Sequence, residues 1–481
     1  MLHEEVSDNK TIETKKPLTS LWNALLARQG IIAYLPIIAI DIFMFCGASW
    51  QIFWLHTDAA RYQCYALTFW MGSIGTHLLP ADQCWFLPTS LASQPPFHML
   101  PLEYPPLTLV IFSLALLAPL IYYQLVFALL MALTAVLIYW LLLRYGPRGS
   151  ALAFSIYLLI GASATAEGRY DLVPAALTLL CLIAAERKHW TFAYVAMAFG
   201  FMLKIYPILL LPALFIAEQR DAQRLHIPPE SLTIKSLTGE LWHTLQGIRQ
   251  WCWRNSLIFI GIIVGVTGFY SLIDFNGAVL SQLSYFANRP VQVESTGSIL
   301  LWLGTRFGFP VQIVYTFGSL NMISALGEYV SILFESLFVL GYVYTIFLQW
   351  RGKLDVTQAS IALLLIFIVT GKVFSPQYLI WIVPLLAYSG AFGSFWLITW
   401  GTISLLTTII YPFFYTLITD GLKIPYLPGF IQIVTARNFL LVLLTLAYLF
   451  NWFQIRQRKP LLSDTNGKET RPLFLESSRG K

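Results

Sequence analysis

The sequence predicts an all-α, polytopic membrane protein with about twelve transmembrane helices. Hydrophobic residues make up 57% of the 481-residue chain and charged residues only 11%, whereas about a quarter of an ordinary soluble domain is charged. Apolar runs long enough to cross roughly 30 Å of hydrocarbon recur along the chain. These runs lack the alternation of barrel strands, and the helix is the other structure that satisfies its own backbone hydrogen bonds in lipid.

The positions of the 30 Lys and Arg residues set the direction of each span. Cytoplasmic loops of membrane proteins carry an excess of basic residues, so we assign the basic clusters to the cytoplasm, and both termini with them. The clusters lie at residues 10–28, 144–148, 187–188, 220–254, 351–353 and 456–481. The basic residues left on the outer side are Arg61, Arg169, Lys204, Arg289, Arg306, Lys372, Lys423 and Arg437.

With the basic clusters placed in the cytoplasm, twelve apolar runs are predicted to cross the membrane in alternating directions. They are 31–55, 119–143, 150–166, 170–185, 190–203, 206–217, 256–275, 329–350, 356–370, 376–388, 391–417 and 436–453.

The remaining segments divide the chain into simple parts. Residues 1–30 are charged and have no apolar stretch or cleavage site, so we predict a cytoplasmic N-terminal segment and no signal peptide. The transmembrane domain is 31–455, with a first outer loop at 56–107. The cytoplasmic loop 218–255 mixes basic residues with tryptophans, which suits either a helix on an anionic inner leaflet or a plain connector. Residues 456–481 are polar and rich in Lys, Arg, Ser and Gly, and we predict that they form a disordered cytoplasmic tail.

Two apolar stretches are predicted not to span. Residues 108–118 are about half as long as a span needs to be, so we expect a re-entrant or interfacial helix on the outer side. A full span there would move Arg144 and Arg148 outside. Residues 299–320 are interrupted by two glycines and a proline and are expected to lie along the outer surface.

The five cysteines have no spacing typical of a zinc site or a disulfide framework. Cys64 and Cys84 share the first outer loop, and an oxidising compartment would allow them to pair. We predict that they are free thiols.

Polar residues gather at the outer ends of the predicted helices. Ionisable groups near hydrocarbon are costly to bury, so several that converge on one leaflet indicate a shared polar cavity. Singly, each is equally typical of an interfacial anchor or a helix cap. The candidate residues are Asp58, Tyr62, Glu103, Tyr104, Arg169, Asp171, Lys204, Arg289, Gln292, Glu294, Lys372 and Gln377.

These residue types suit group transfer from a phosphorylated lipid. A carboxylate such as Asp58 accepts a proton from an attacking hydroxyl. A phosphate leaving group needs cations, for which Lys204, Arg289 and Lys372 are the candidates. The chain has no Gly-rich phosphate loop, so a nucleotide-sugar donor is not indicated.

Six short motifs in order resemble glycosyltransferase family 87 of the GT-C superfamily. They are the Asp58…Tyr62 pair, EYPPL, RYD, LKIYP before an LLLP run, RPVQVES and FSPQYLIWIVPLL, and together they span residues 58–386. The resemblance implies a GT-C-type fold and polyprenyl-phosphate-mannose as donor. It also implies an active site on the non-cytoplasmic face and Asp58 as the base of an inverting mannosyl transfer.

The same resemblance suggests roles for other residues. Glu103 or Asp171 would orient hydroxyls of the acceptor or donor. Many GT-C enzymes bind a divalent metal through a second acidic residue, which Glu167 or Asp171 would supply, but nothing in their spacing requires a metal or another cofactor. The sequence does not identify the acceptor: a phosphatidylinositol mannoside, another glycolipid, a growing cell-wall polysaccharide and a protein are all candidates, and 271–297 and 417–435 are the candidate binding segments.

Two other functional classes compete with an enzyme. A transporter or flippase of a lipid-linked sugar would also have a polar outer cluster, but it should carry polar residues to the inner side and show internal repeats. A membrane scaffold would tolerate replacement of Asp58. The lipid bilayer is the expected environment under every hypothesis, and no nucleic-acid partner is indicated.

Overall fold

The computed structural model of the protein describes residues 31–49, 52–87, 94–225, 238–240, 242, 244 and 246–450. The predicted N-terminal segment and the predicted tail lie outside the described residues, as does part of the predicted cytoplasmic loop. Most of the described chain is helical, as predicted.

The helices follow one another with short connections. In chain order they are α1 (Leu35–Ala48), α2 (Asp58–Met71), α3 (Ser73–His77), α4 (Thr108–Leu114), α5 (Tyr123–Tyr145), α6 (Ser150–Ala162), α7 (Leu172–Glu186), α8 (Trp190–Leu203), α9 (Leu211–Asp221), α10 (Arg254–Ile273), α11 (Ser281–Ala287), α12 (Thr296–Gly304), α13 (Gly327–Trp350), α14 (Val356–Thr370), α15 (Tyr378–Ser389), α16 (Ser394–Thr408) and α17 (Phe430–Leu449). Short 3-10 segments include Ile31–Tyr34, Tyr206–Leu210 and Gly421–Tyr426, and π-helical segments are Asn276–Leu280 and Ile409–Phe414.

Helices α7, α14 and α15 form the centre of the bundle. Most of their residues are buried, as expected for apolar helices that other helices surround. Helix α15 packs against α6, α7 and α14, and α7 packs against α5 and α8. At the periphery, only 17% of the apolar window of α10 and of α13 is buried, so these two helices expose apolar side chains to the lipid.

Several of these helices are suited to cross a membrane, and the chain is a multi-pass membrane protein. By length and composition the long candidates are Leu120–Tyr145, Arg254–Ile273, Gly327–Trp350, Ser394–Phe414 and Phe430–Leu449. Shorter apolar helices include α6, α7, α8, α14 and α15. The count of twelve spans stays a prediction.

The predicted span boundaries are closest in the middle of the chain. The predictions 190–203 and 356–370 coincide with α8 and α14. The first prediction is too long, because α1 ends at Ala48, and the last begins too late, because α17 starts at Phe430. Residues 108–117 form α4 and a 3-10 turn (Ala115–Leu117), a short helix as expected, and its re-entrant placement stays a prediction.

The first outer loop contains the helices α2 and α3. Helix α2 buries Cys64 and brings its Cα to 5.8 Å from that of Cys84, a separation that a disulfide bridges without backbone movement. The two cysteines form a disulfide. The prediction of free thiols is therefore wrong, because the helical fold of the loop was not foreseen.

A three-stranded antiparallel sheet departs from the predicted all-α class. Its strands are β1 (Val291–Gln292), β2 (Gln312–Thr316) and β3 (Ser319–Ile323), in the order β1-β3-β2. The turn of the β2-β3 hairpin places Phe317 at φ +52° and Gly318 at φ +67°, and positive φ at both central residues matches the twist of a two-residue hairpin. The predicted surface segment 299–320 is thus partly strand, because β2 pairs with β3 along its whole length.

Candidate active site

One cavity of about 1760 Å³ joins the ends of several helices. Its wall contains the start of α2, the turns before α7 and after α8, the hairpin tip, and the loop between α14 and α15. All the candidate residues from the sequence line it, namely Asp58, Tyr62, Glu103, Tyr104, Arg169, Asp171, Lys204, Arg289, Gln292, Glu294, Lys372 and Gln377. The predicted shared polar cavity is therefore present in the structure, while the roles of the individual residues depend on their contacts.

Asp58 is the first residue of α2. The hydroxyl of Thr57 caps this helix by accepting the Ala60 N–H at 3.1 Å. The Asp58 Oδ2 lies 2.6 Å from Nη2 of Arg169, and both side chains are 23% exposed. The carboxylate is thus held in place yet open to the cavity, where it can accept a proton from a hydroxyl group.

Arg61 lies one turn further along α2 and is absent from the predicted set. Its guanidinium forms an ion pair with Glu103 and stacks over the Phe86 ring at 4.5 Å. Burial by itself lowers the pKa of Arg61, but the nearby Tyr104, Glu103 and Asp58 together raise it by more, so the net shift of the pKa is upward. Its spacing of three residues from Asp58 on a helix is the sequence signal that would have pointed to it. The ion pair ties α2 to the end of the first outer loop.

Tyr62 and Tyr104 belong to an aromatic cluster in the cavity wall. The Tyr62 ring stacks on Phe112 at 4.2 Å and contacts Tyr104 and Tyr170 edge-on at 5.4 and 5.6 Å. Burial raises the pKa of both predicted tyrosines well above the usual value, so their hydroxyls stay neutral. The packing favours a wall-forming role for these rings.

Asp171 and Lys204 form a buried ion pair. The Lys204 Nζ lies 2.9 Å from Oδ1 of Asp171, and the same oxygen accepts the indole N–H of Trp381 at 2.6 Å. The ammonium also lies over the Tyr170 ring at 4.5 Å. The charge of Lys204 is therefore already compensated by a carboxylate that is 1% exposed.

Arg289 differs from the other cavity arginines. Its Nη2 donates to the Ser319 hydroxyl at 2.9 Å, and its guanidinium lies 5.3 Å from the Tyr285 ring centre. In the part of the chain that the structure describes, no carboxylate lies within ion-pair distance of Arg289, and its Nε has no hydrogen-bond partner. This guanidinium is therefore available to bind an anion.

Gln292 joins β1 to the loop that follows α14. Its backbone N–H donates to the Lys372 carbonyl at 2.9 Å, and its side-chain Oε1 accepts the Phe374 N–H at 2.9 Å. Lys372 itself pairs with Glu335 at 2.7 Å. The Oε1 of Gln377 is buried with no partner in the described region. Gln292 thus positions the loop that carries Lys372.

Glu294 lines the cavity, but its carboxylate is bound to two other side chains, Tyr415 and Arg437. Its Oε1 accepts the Tyr415 hydroxyl at 2.8 Å, and its Oε2 lies 3.5 Å from Nη1 of Arg437, which is fully buried. Burial raises the pKa of Glu294, although Arg437 and Tyr415 act in the opposite direction. These contacts favour a positioning role, in which Glu294 fixes the β1 segment to α17.

Glu167 lies in the turn between α6 and α7 and is only 2% exposed. Both carboxylate oxygens lack a hydrogen-bond partner among the described residues. Burial, with a contribution from the charge of Asp41, raises its pKa from 4.5 to about 8. No group of three His, Cys, Asp or Glu side chains converges there or elsewhere in the described residues as a metal site would require, and metal dependence stays an open prediction.

Comparison with known proteins gives a family match for one part of the chain. The model of glycosyltransferase family 87 matches residues 102–227, about a quarter of the chain. No curated protein gives a significant match. The matched region contains Glu103, Arg169, Asp171 and Lys204. The match supports the predicted resemblance to glycosyltransferase family 87 over these residues and, together with the apolar helices, indicates a membrane glycosyltransferase.

Proposed function

We propose that this protein transfers a mannosyl group from polyprenyl-phosphate-mannose to a hydroxyl of a glycolipid or polysaccharide on the non-cytoplasmic face of the membrane. The observation that carries the proposal is a cavity lined by both an accessible carboxylate, Asp58, and an arginine, Arg289, that has no carboxylate partner among the described residues. Glycosyl transfer from a phosphorylated donor needs a base for the attacking hydroxyl and a cation for the leaving phosphate.

In the proposed reaction, the acceptor oxygen attacks C1 of the β-linked mannosyl group. Asp58 accepts the proton of that hydroxyl as the new C1–O bond forms. The bond between C1 and the phosphate oxygen breaks, and its electron pair leaves with the polyprenyl phosphate. Attack from the side opposite to the leaving group inverts C1 and gives an α-mannoside. Arg169 orients Asp58 through their 2.6 Å contact.

The contacts of the cations rank them as phosphate ligands. Lys204 is paired with the buried Asp171 and enclosed by aromatic rings. Arg289 has no such partner in the described structure, and Lys372 is paired only with the exposed Glu335. We therefore assign the phosphate to Arg289 and Lys372. Lys204 then serves to hold the aromatic wall formed by Tyr170 and Trp381.

The disulfide between Cys64 and Cys84 supports the proposed side of the membrane. It lies in α2 and the segment that follows it, next to Asp58 along the chain. Disulfides persist in oxidising compartments and are rare in the cytosol. The distribution of basic residues independently favours the same side.

The test is a transfer assay on purified protein in proteoliposomes. Radiolabelled polyprenyl-phosphate-mannose and a lipid extract from the source are incubated with wild type, Asp58→Asn and a matched control, Asp221→Asn. Asp221 ends α9, pairs with the exposed Lys188 and does not line the cavity. We expect label in a new glycolipid with wild type and control only, and a loss of at least about a hundredfold for Asp58→Asn.

Other outcomes exclude the proposal in different ways. Equal activity of Asp58→Asn and wild type would remove Asp58 as the base. Label that crosses the bilayer without forming a new glycosidic bond would identify a flippase. Transfer from glucosyl or arabinosyl donors but not from the mannosyl donor would retain the enzyme class and change the sugar.

A further inference from the structure

Glu335 is a charged side chain on a helix that faces lipid. It lies eight positions after Gly327, about 12 Å along α13 at 1.5 Å per residue, and its side chain is 59% exposed. Its neighbours Ile332 and Leu340 are among the exposed apolar residues of this helix. A carboxylate in such surroundings is costly and typically marks a path for a polar or charged substrate.

Lys372 is the partner of Glu335. Its Nζ lies 2.7 Å from the Glu335 Oε1, and its side chain is 26% exposed. No other contact to the Glu335 carboxylate is found in the described structure. By contrast, Asp171 and Glu294 are each held by a cation and an aromatic hydrogen-bond donor. Among these pairs, the one between Glu335 and Lys372 is therefore the easiest for another anion to replace.

Side chains of α13 and α14 form the cavity wall beside Glu335. Glu335 and Phe338 of α13 line it together with Phe367 of α14 and Leu209. The rings of Phe338 and Phe367 are in edge-to-face contact, 6.2 Å apart centre to centre, and this contact joins the two helices. Glu335 both lines the cavity and is exposed on α13, so the exposed edge of the cavity lies at Glu335, next to this aromatic contact.

Beyond Phe338 along α13 the two helices are also in contact. A Cβ placed on Gly341 would lie 3.1 Å from Ile366, so α13 and α14 are in close contact there. One residue further, the Tyr342 hydroxyl donates to the Leu209 carbonyl at 2.8 Å. The exposed edge of the cavity is thus confined to the level of Glu335, where an anionic head group would lie beside the apolar surface of α13.

We propose that Glu335 is a displaceable counter-ion of Lys372 at a lateral opening for a phosphorylated lipid. In the empty site Glu335 neutralises Lys372. The phosphate of a lipid that arrives at this edge of the cavity replaces the Glu335 carboxylate, which moves to the exposed side. Lipids without a phosphate cannot make this exchange, so the pair selects for anionic lipid phosphates. This inference rests on the proposed function, because it names the route and the selection of its donor.

The test is equilibrium binding of radiolabelled polyprenyl phosphate, without a sugar, to protein in phosphatidylcholine nanodiscs. Glu335→Gln removes the competing carboxylate, so we expect about threefold tighter binding. Lys372→Gln should weaken binding about tenfold. In the double variant the effect of Glu335→Gln should vanish, because it acts through Lys372. Glu328→Gln, an exposed glutamate on α13 outside the cavity lining, is the control and should bind like wild type.

A second measurement tests the opening itself. In a background carrying Cys46→Ser and Cys252→Ser, Glu335→Cys and Val339→Cys are alkylated with a bulky maleimide. Val339 is also exposed on α13 but does not line the cavity. We expect alkylation to abolish polyprenyl-phosphate binding for Glu335→Cys and to leave it unchanged for Val339→Cys.

The outcomes separate this inference from the proposed function. If Glu335→Gln binds polyprenyl phosphate as wild type does, the counter-ion role is overturned. The same holds if Glu335→Gln strengthens binding equally in the Lys372→Gln background. Both results leave the donor class unchanged. Equal binding by both alkylated variants would overturn the lateral opening. Absence of polyprenyl-phosphate binding by wild type would overturn the donor class and the counter-ion together.

Discussion

The Oδ2 of Asp58 lies 2.6 Å from Nη2 of Arg169, and this contact joins the first turn of α2 to the turn before α7. The proposed base is therefore oriented by a residue more than a hundred positions away in sequence. A fixed carboxylate is valuable because small errors in the position of a catalytic group reduce rate strongly.

Replacement of Arg169 should slow transfer without abolishing it. Arg169→Gln removes the guanidinium that orients Asp58, so we expect kcat to fall about 10- to 100-fold with little change in the donor KM. Arg169→Lys, which keeps the charge, should recover part of the loss. Initial rates at varied donor concentration give this split. A rise in KM alone would mean that Arg169 binds substrate directly.

Glu167 should make stability depend on pH. Its carboxyl has a pKa of about 8 in the folded protein and 4.5 as its ordinary value. The folded state therefore holds one more proton between these values, and stability falls as pH rises through this window, by at most about 1.4 kcal/mol per pH unit. Thermal melting of Glu167→Gln between pH 5 and 8 should lack this decline. An identical decline in variant and wild type would assign it to another group.

The Glu294 and Arg437 pair should be needed for stability. Arg437→Met leaves the buried Glu294 carboxylate without its cation, so we expect a loss of about 3–5 kcal/mol. Glu294→Gln in the same chain should restore part of it, because the unpaired acid is removed. Melting temperatures of the single and double variants measure both effects. No loss in Arg437→Met would exclude the anchoring role.

The disulfide between Cys64 and Cys84 should contribute to stability, and its presence in the native membrane tests which compartment this segment faces. Cys64 and Cys84 are separated by 20 positions, and removing a cross-link of that loop length costs about 3 kcal/mol. Cys64→Ser should lower the melting temperature accordingly. Mass spectrometry of alkylated wild type from native membranes should show both thiols protected. Two reactive thiols would place this segment in a reducing compartment.

Topology can be checked with single cysteines. In a background without Cys46 and Cys252, Arg148→Cys should react with an impermeant maleimide only from the cytoplasm, because Arg148 belongs to a cytoplasmic basic cluster. Lys423→Cys, on an exposed 3-10 turn, should react only from outside. Labelling of Arg148→Cys from outside would mean that residues 108–118 span the membrane and that the active site faces the other way.

The sequence by itself determined the class of protein and the residues of the cavity. The length and the apolarity of a run are local properties, so the bounds of a helix such as 190–203 could be predicted to the residue. Charged residues at helix ends are rare in such an apolar chain, and their positions alone therefore indicated Asp58, Arg289 and Lys372 as candidates. The order of short motifs predicted the family, which the match to residues 102–227 supports.

The tertiary structure decided how those residues are paired. Asp171 compensates Lys204, Arg437 compensates Glu294, and Arg289 has no carboxylate partner among the described residues. Sequence cannot provide this information, because each pair joins side chains from elements far apart in the chain and depends on distances of a few ångströms. The disulfide and the β2-β3 hairpin were missed for the same reason: both depend on contacts between segments, whereas the sequence pattern reports only the local preference of each.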